Sequence, residues 1–267
     1  MKLSLVRPMR INNQKSGLYI ISAVSAIAVG IVLYLPPVAQ DPAYHRFSDI
    51  RTIAGIPNFW NVMTNLFFGI AGLFGLHWTV KAGPDSMLTD LKFAYYLLFS
   101  GLVLVALGSA YYHLQPTNAT LVWDRIPMAI SFMALFTLII GEFISVRAGR
   151  LLLWPLIGCG VSAVLYWHFT ELQSRGDLRF YILVQFLPIL LIPLILLLCQ
   201  PTFTETSGYW LLLFSYLLAK GFEHFDAAIF DFGFIVSGHS LKHVAAAGGI
   251  YFLVNAYTRR QLIRNRG

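Results

Sequence analysis

Eight apolar stretches dominate the chain, at about 18–36, 59–80, 92–113, 122–146, 151–170, 180–199, 209–226 and 238–257. Each is close to the ~20 residues that a helix needs to cross the hydrocarbon core of a bilayer. Inside lipid every backbone amide must find a partner within its own helix or a closed barrel. The two-residue alternation of barrel strands is absent from these runs. The fold class read from the sequence is therefore all-α, a polytopic membrane helix bundle in a single domain. Composition agrees: 12% of the residues are charged and 57% are hydrophobic, against roughly 25% and 45–50% in an ordinary soluble domain. So little charge cannot coat a soluble globule of 267 residues, which excludes a cytosolic domain and a disordered regulator.

The net charge of +7 does not point to nucleic acid, because the basic residues sit at the termini and in short loops, as orientation signals do. With the N-terminus inside, the inner segments 1–17, 81–92, 147–150, 200–208 and 258–267 hold 12 of the 19 Lys and Arg residues. The outer segments 38–57, 114–120, 171–179 and 227–237 hold 4, and Arg125, Lys220 and Lys242 lie within spans. This bias predicts eight spans with both termini cytoplasmic, and the expected setting is an inner membrane of bacterial type. Lys2, Arg7, Arg10 and Lys15 precede the first span, and the segment from Pro36 to Gln40 follows it, which is the outline of a signal peptide. Its apolar region of about 19 residues exceeds the usual signal core and favours a retained helix. Cys159 and Cys199 lie in apolar runs and give neither a disulfide framework nor a CxxC site.

The predicted topology puts a set of polar residues at one depth. The third span runs outward and ends in Ser109-Ala110-Tyr111-Tyr112-His113. The fourth runs inward and begins near Asp124, and the eighth runs inward from His239-Ser240-Leu241-Lys242-His243. Ser109 and His113 share a helix face, as do His239 and His243. Two imidazoles one turn apart can bind one metal, and a third from another helix completes the three-nitrogen set that zinc accepts with a water in the open position. Such a water is acidic near neutral pH and supplies a hydroxide nucleophile. Asp124 can take its proton or orient a histidine, and Ser109 can donate to a developing oxyanion. The competing reading is that these residues bond neighbouring helices. It suits an isolated HxxxH pair, but it weakens when His113 and Asp124 share the depth. In the seventh span Lys220, Glu223 and Asp226 fall three apart on one predicted stripe. Glu223 and Asp226 either support the metal from behind or form a charge-compensated helix contact. His45, His77, His168, His224 and Glu142 read as structural.

The set Ser109-xxx-His113, Asp124 and His239-xxx-His243 resembles the signature of the alkaline ceramidase family, which is related to the adiponectin and progestin receptors. Trp123-Asp124-Arg125-Ile126-Pro127-Met128 is similar to that family's Asp-x-x-Pro-Met stretch. Phe59-Trp60-Asn61-Val62-Met63-Thr64-Asn65 and the run from Ser237 to His243 are similar to its first and last core helices. The resemblance covers about residues 45–257. It implies a seven-helix core, an extra N-terminal helix at 18–36, and basic flanks at 1–17 and 258–267. It further implies zinc on His113, His239 and His243, with Asp124 and Ser109 assisting the water and the amide oxygen. The reaction implied is hydrolysis of a ceramide-like N-acyl lipid drawn from the surrounding membrane lipids. Calcium is not expected, because Asn58 stands where animal members carry a glutamate. The alternative is a receptor-like lipid-binding protein with a structural zinc.

Overall fold

The computed structural model describes residues 14–233 and 235–263, and among them every regular element is helical. The basic flanks expected at 1–17 and 258–267 lie in large part outside the described residues, at 1–13 and 264–267. The helices are α1 (Gln14–Tyr34), α2 (Phe59–Met63), α3 (Leu66–Lys81), α4 (Lys92–Leu114), α5 (Asn118–Phe143), α6 (Val146–Leu172), α7 (Arg179–Leu198), α8 (Ser207–His224), α9 (Asp226–Gly233) and α10 (Gly238–Arg259). Each apolar stretch of the sequence corresponds to helix, and six segments are long and apolar enough to cross a membrane. At 18 and 22 residues, α8 and α10 are long enough but less apolar. They carry Lys220, Glu223, His239, Lys242 and His243.

Two predicted elements come out differently. The stretch 59–80 is interrupted between α2 and α3. Here Thr64 donates to the carbonyl of Trp60 at 2.7 Å and Asn65 to that of Asn61 at 2.7 Å. Side chains that bond back four residues compete with the helix's own ladder. The stretch 209–226 also ends early. Phe225 closes α8, and Asp226 opens α9. Glu223 and Asp226 therefore do not share one helix stripe.

The helices α6, α5, α4, α3, α10 and α8 pack in succession, α7 lies against α5 and α6, and α1 lies against α7. Leu73, Leu107, Phe214 and Leu217 are more than half exposed on the outside of the bundle. In water so much exposed apolar surface would be unfavourable; against acyl chains it needs no cover.

Small residues set the closest approaches, as in membrane bundles generally. Gly101 and Gly108, two turns apart on α4, face α5, where a Cβ at Gly108 would lie 2.0 Å from the carbonyl oxygen of Trp123. That carbonyl has no helical donor, because Pro127 lacks the N–H that would reach it. Gly108 thus brings α4 against the turn that carries Asp124. On the other side a Cβ at Gly249 would meet Ser215, and one at Gly238 would meet the carbonyl of Phe222, so α10 lies tight on α8.

A second polar cluster closes the far end of the bundle. Glu142 accepts from Tyr95 at 2.5 Å and from Tyr209 at 2.7 Å, and pairs with Arg260 at 2.9 Å. Arg260 also bonds the Ser86 carbonyl and lies 3.8 Å from the centroid of the Tyr257 ring. A buried ion pair satisfied this fully ties helix ends together, in keeping with the structural reading of Glu142.

Gly108→Ala is expected to lower stability by about 1–3 kcal/mol through overpacking. Gly158→Ala, where nothing lies within 4 Å of the added carbon, is expected to be neutral or slightly stabilising. Thermal unfolding of the two variants in detergent checks the difference.

Candidate metal centre

The end of α4, the start of α5 and the start of α10 converge at one end of the bundle. Each delivers its side chains from a fixed backbone. Thr117 caps α5 in a reciprocal box with Thr120. Ser237 caps α10 by accepting from the Ser240 amide, and Asp226 accepts from the His239 amide at 2.6 Å. The first amides of α10, which no helical carbonyl can reach, are thereby held just where the two histidines emerge.

His113, His239 and His243 each offer one ring nitrogen, and these three atoms lie within 4.8 Å of one another. All three residues are buried. The ring centroids are 4.9 Å apart for His113 and His239, 5.1 Å for His113 and His243, and 5.1 Å for His239 and His243. Both ring nitrogens of His113 and Nε2 of His239 have no hydrogen-bond partner. Unsatisfied buried polar atoms cost about 1–3 kcal/mol each, and three imidazoles aimed together are the donor set of a divalent transition metal. Among the described residues this is the one group of three or more His, Cys, Asp or Glu able to hold a metal ion.

The third ring is oriented by a residue that sequence reasoning did not single out. Thr64 Oγ1 lies 2.9 Å from His243 Nδ1 and gives its single proton to the Trp60 carbonyl. Nδ1 is then the donor in the histidine contact, and the lone pair is on Nε2, free for coordination. Asn58 donates to the His113 carbonyl at 2.8 Å. Ser240 donates to Asn61 at 2.7 Å, and Asn61 donates to the Asp49 carbonyl at 3.2 Å. Phe47 covers His113 and His239, with centroids at 4.8 and 4.6 Å. Asn61 and Thr64 are two polar residues three apart in an apolar run; only the fold shows that Thr64 reaches His243 and Asn61 reaches Ser240.

The remaining residues expected in the site take up distinct positions. Ser109 and Asp124 are both buried and line the same cavity as the histidines. Glu223 bridges Lys220 at 2.7 Å and Lys242 at 2.6 Å on the cavity wall. Asp226 bonds the backbone amides of His239 and Ser48, so it reaches the centre through the chain of α10. His45 bonds Tyr112 and Asn118 at 2.9 Å each and stands outside the cluster. In the connecting segment, burial alone would raise the Asp49 carboxyl, but its bonds from Arg51 outweigh that and hold it below the ordinary carboxylate range. That carboxylate is already occupied by a guanidinium.

From the histidines a cavity of about 360 Å³ runs along the bundle to Ile139, Ile192 and Tyr209 near the far end, between apolar side chains of α4, α5, α7, α8 and α10. Across the seam between α7 and α8, Gln185 donates to Tyr216 at 3.4 Å, and the Lys220 ammonium lies 5.8 Å from the centroid of the Phe186 ring.

Compared with known proteins, the chain matches no family model and no curated sequence.

Thr64→Val keeps the shape of the supporting side chain and removes its hydroxyl. It is expected to weaken metal binding about 10–100-fold, the usual cost of losing such a partner, as measured by competition against a chelating dye.

Proposed function

We propose that this chain is a membrane-embedded, zinc-dependent hydrolase that cleaves the amide bond of ceramide-like N-acyl lipids. The observation that carries the proposal is the position of the histidine cluster. Three buried imidazoles, two of them with unsatisfied nitrogens, lie at the head of a long apolar cavity that also exposes a carboxylate and a hydroxyl. A cavity of that shape suits an acyl chain below and a polar linkage at the cluster, and a lipid can reach it sideways through the α7–α8 seam.

His113, His239 and His243 would hold the ion by one nitrogen each. When bound, zinc would supply a Lewis acid and lower the pKa of water toward neutrality. Asp124 takes a proton from the attacking water at a carboxylate oxygen and passes it to the departing nitrogen. Ser109 donates a hydrogen bond to the amide oxygen as negative charge develops on it. The new C–O bond forms at the acyl carbon as the C–N bond breaks, giving a fatty acid and a free amine. Apolar walls keep bulk water away, which strengthens each of these interactions.

The same reading takes the bundle as a seven-helix core with α1 as an added helix, which agrees with α1 packing mainly on α7 and staying largely exposed. On this reading α8 and α10 are spans too, both termini are cytoplasmic, and the centre faces the outer leaflet.

Purified protein is expected to release fatty acid from N-acyl sphingoid lipids in detergent micelles. Asp124→Asn is expected to lower kcat about 10²–10⁴-fold while keeping its metal. A metal-loaded wild type that turns over no ceramide or other N-acyl lipid would sink the hydrolase reading and favour a receptor-like protein with a structural zinc.

A further inference from the structure

Arg125 follows Asp124 on α5 and lines the same cavity, yet nothing in the chemistry above uses it. It is 4% exposed. Among the described residues no carboxylate lies within 4.0 Å of it. Its Nη2 donates to the neutral amide oxygen of Gln40 at 2.6 Å, and its Nη1 has no partner. Aromatic rings cover the guanidinium: the centroids of Trp167, Tyr181 and Tyr44 lie 4.1, 4.6 and 5.5 Å away. The rings offset part of the cost of burying the cation, but they do not satisfy a hydrogen-bond donor. Other cations of the wall are matched differently, since Lys220 and Lys242 share Glu223. Arg260, at the other end of the bundle, shows what a structural buried arginine has in this protein: a carboxylate, a carbonyl and a tyrosine hydroxyl.

We propose that Arg125 binds the oxyanion of an acidic lipid headgroup, a carboxylate or a phosphate. The cavity then takes anionic N-acyl lipids in preference to neutral ones with the same chain. A guanidinium is charged at every accessible pH, and charge-assisted bonds to carboxylate or phosphate oxygens are what it makes best. Its aromatic frame fixes the plane of the fork, so little order is lost when the oxyanion arrives. This inference narrows the substrate class and rests on the reading of the cavity as a lipid amide site.

Binding tests it without turnover. N-palmitoylglycine and N-palmitoylethanolamine share an acyl chain and an amide but differ in charge. Wild type in neutral detergent is expected to bind the acid about tenfold or more tightly, as one charge-assisted contact implies, measured by titration calorimetry at pH 7. In Arg125→Gln the two affinities should converge to within about twofold, with the neutral lipid little changed and the metal content intact. In Arg125→Lys part of the preference should remain, because the charge is kept. A structural role alone would weaken both lipids together. No preference in the wild type would overturn the proposal whether or not any variant folds, and so would a preference that survives Arg125→Gln. Inorganic phosphate without a chain is expected not to compete; competition that matches the acid and vanishes in Arg125→Gln would overturn the lipid assignment. A preference that depends on Arg125 in a protein with no amidase activity would leave this inference standing and remove the hydrolase reading.

Discussion

Three imidazole nitrogens lie buried without a hydrogen bond where α4 and α10 meet, and much of the arrangement around them is explained by that fact. Left alone, each costs about 1–3 kcal/mol, a large share of the 5–15 kcal/mol by which an ordinary domain is stable. A cation shared among His113, His239 and His243, by one nitrogen per ring, would convert part of that cost into binding. The neighbouring side chains act toward the same end. Thr64 fixes which nitrogen of His243 is free, Asp226 and Ser237 hold the first turn of α10, and Phe47 excludes water from two of the rings.

Contrast with the far end of the bundle strengthens the point. Glu142 and Arg260 are as deeply buried as the histidines, yet every charge there has partners. That cluster is complete, and its effect is to fasten α4, α5, α8 and α10. The histidine end is incomplete in its own atoms, and so is Arg125. In a membrane protein, polarity that is buried and unfinished marks the places where something else binds. The apolar cavity joins these two unfinished positions to the interior of the bundle.

Much of this was legible in the chain. The helices follow from apolar run length, and the grouping of Ser109, His113, Asp124, His239 and His243 at one end of the bundle follows from chain direction and i,i+4 spacing. What was not legible depended on contacts between distant segments. Thr64 is one polar residue in an apolar run, and only the fold puts it 2.9 Å from His243. Asp226 looked like a continuation of the Glu223 stripe, but the end of α8 at Phe225 turns it toward the α10 amides. Arg125 was hidden beside Asp124, because sequence spacing says nothing about the rings that enclose it. The approach of α4 to α5 rests on Gly108 and on a carbonyl freed by Pro127, a pairing that neither residue announces by itself.

X-ray absorption spectroscopy at the metal edge, on protein purified in detergent without added chelator, tests the central claim most directly. The account predicts about one zinc per chain with imidazole nitrogens at about 2.0–2.1 Å and no sulfur, and loss of that signal in His113→Ala. Wild-type protein that holds no metal after incubation with zinc, or whose metal shows no imidazole scattering, would contradict it.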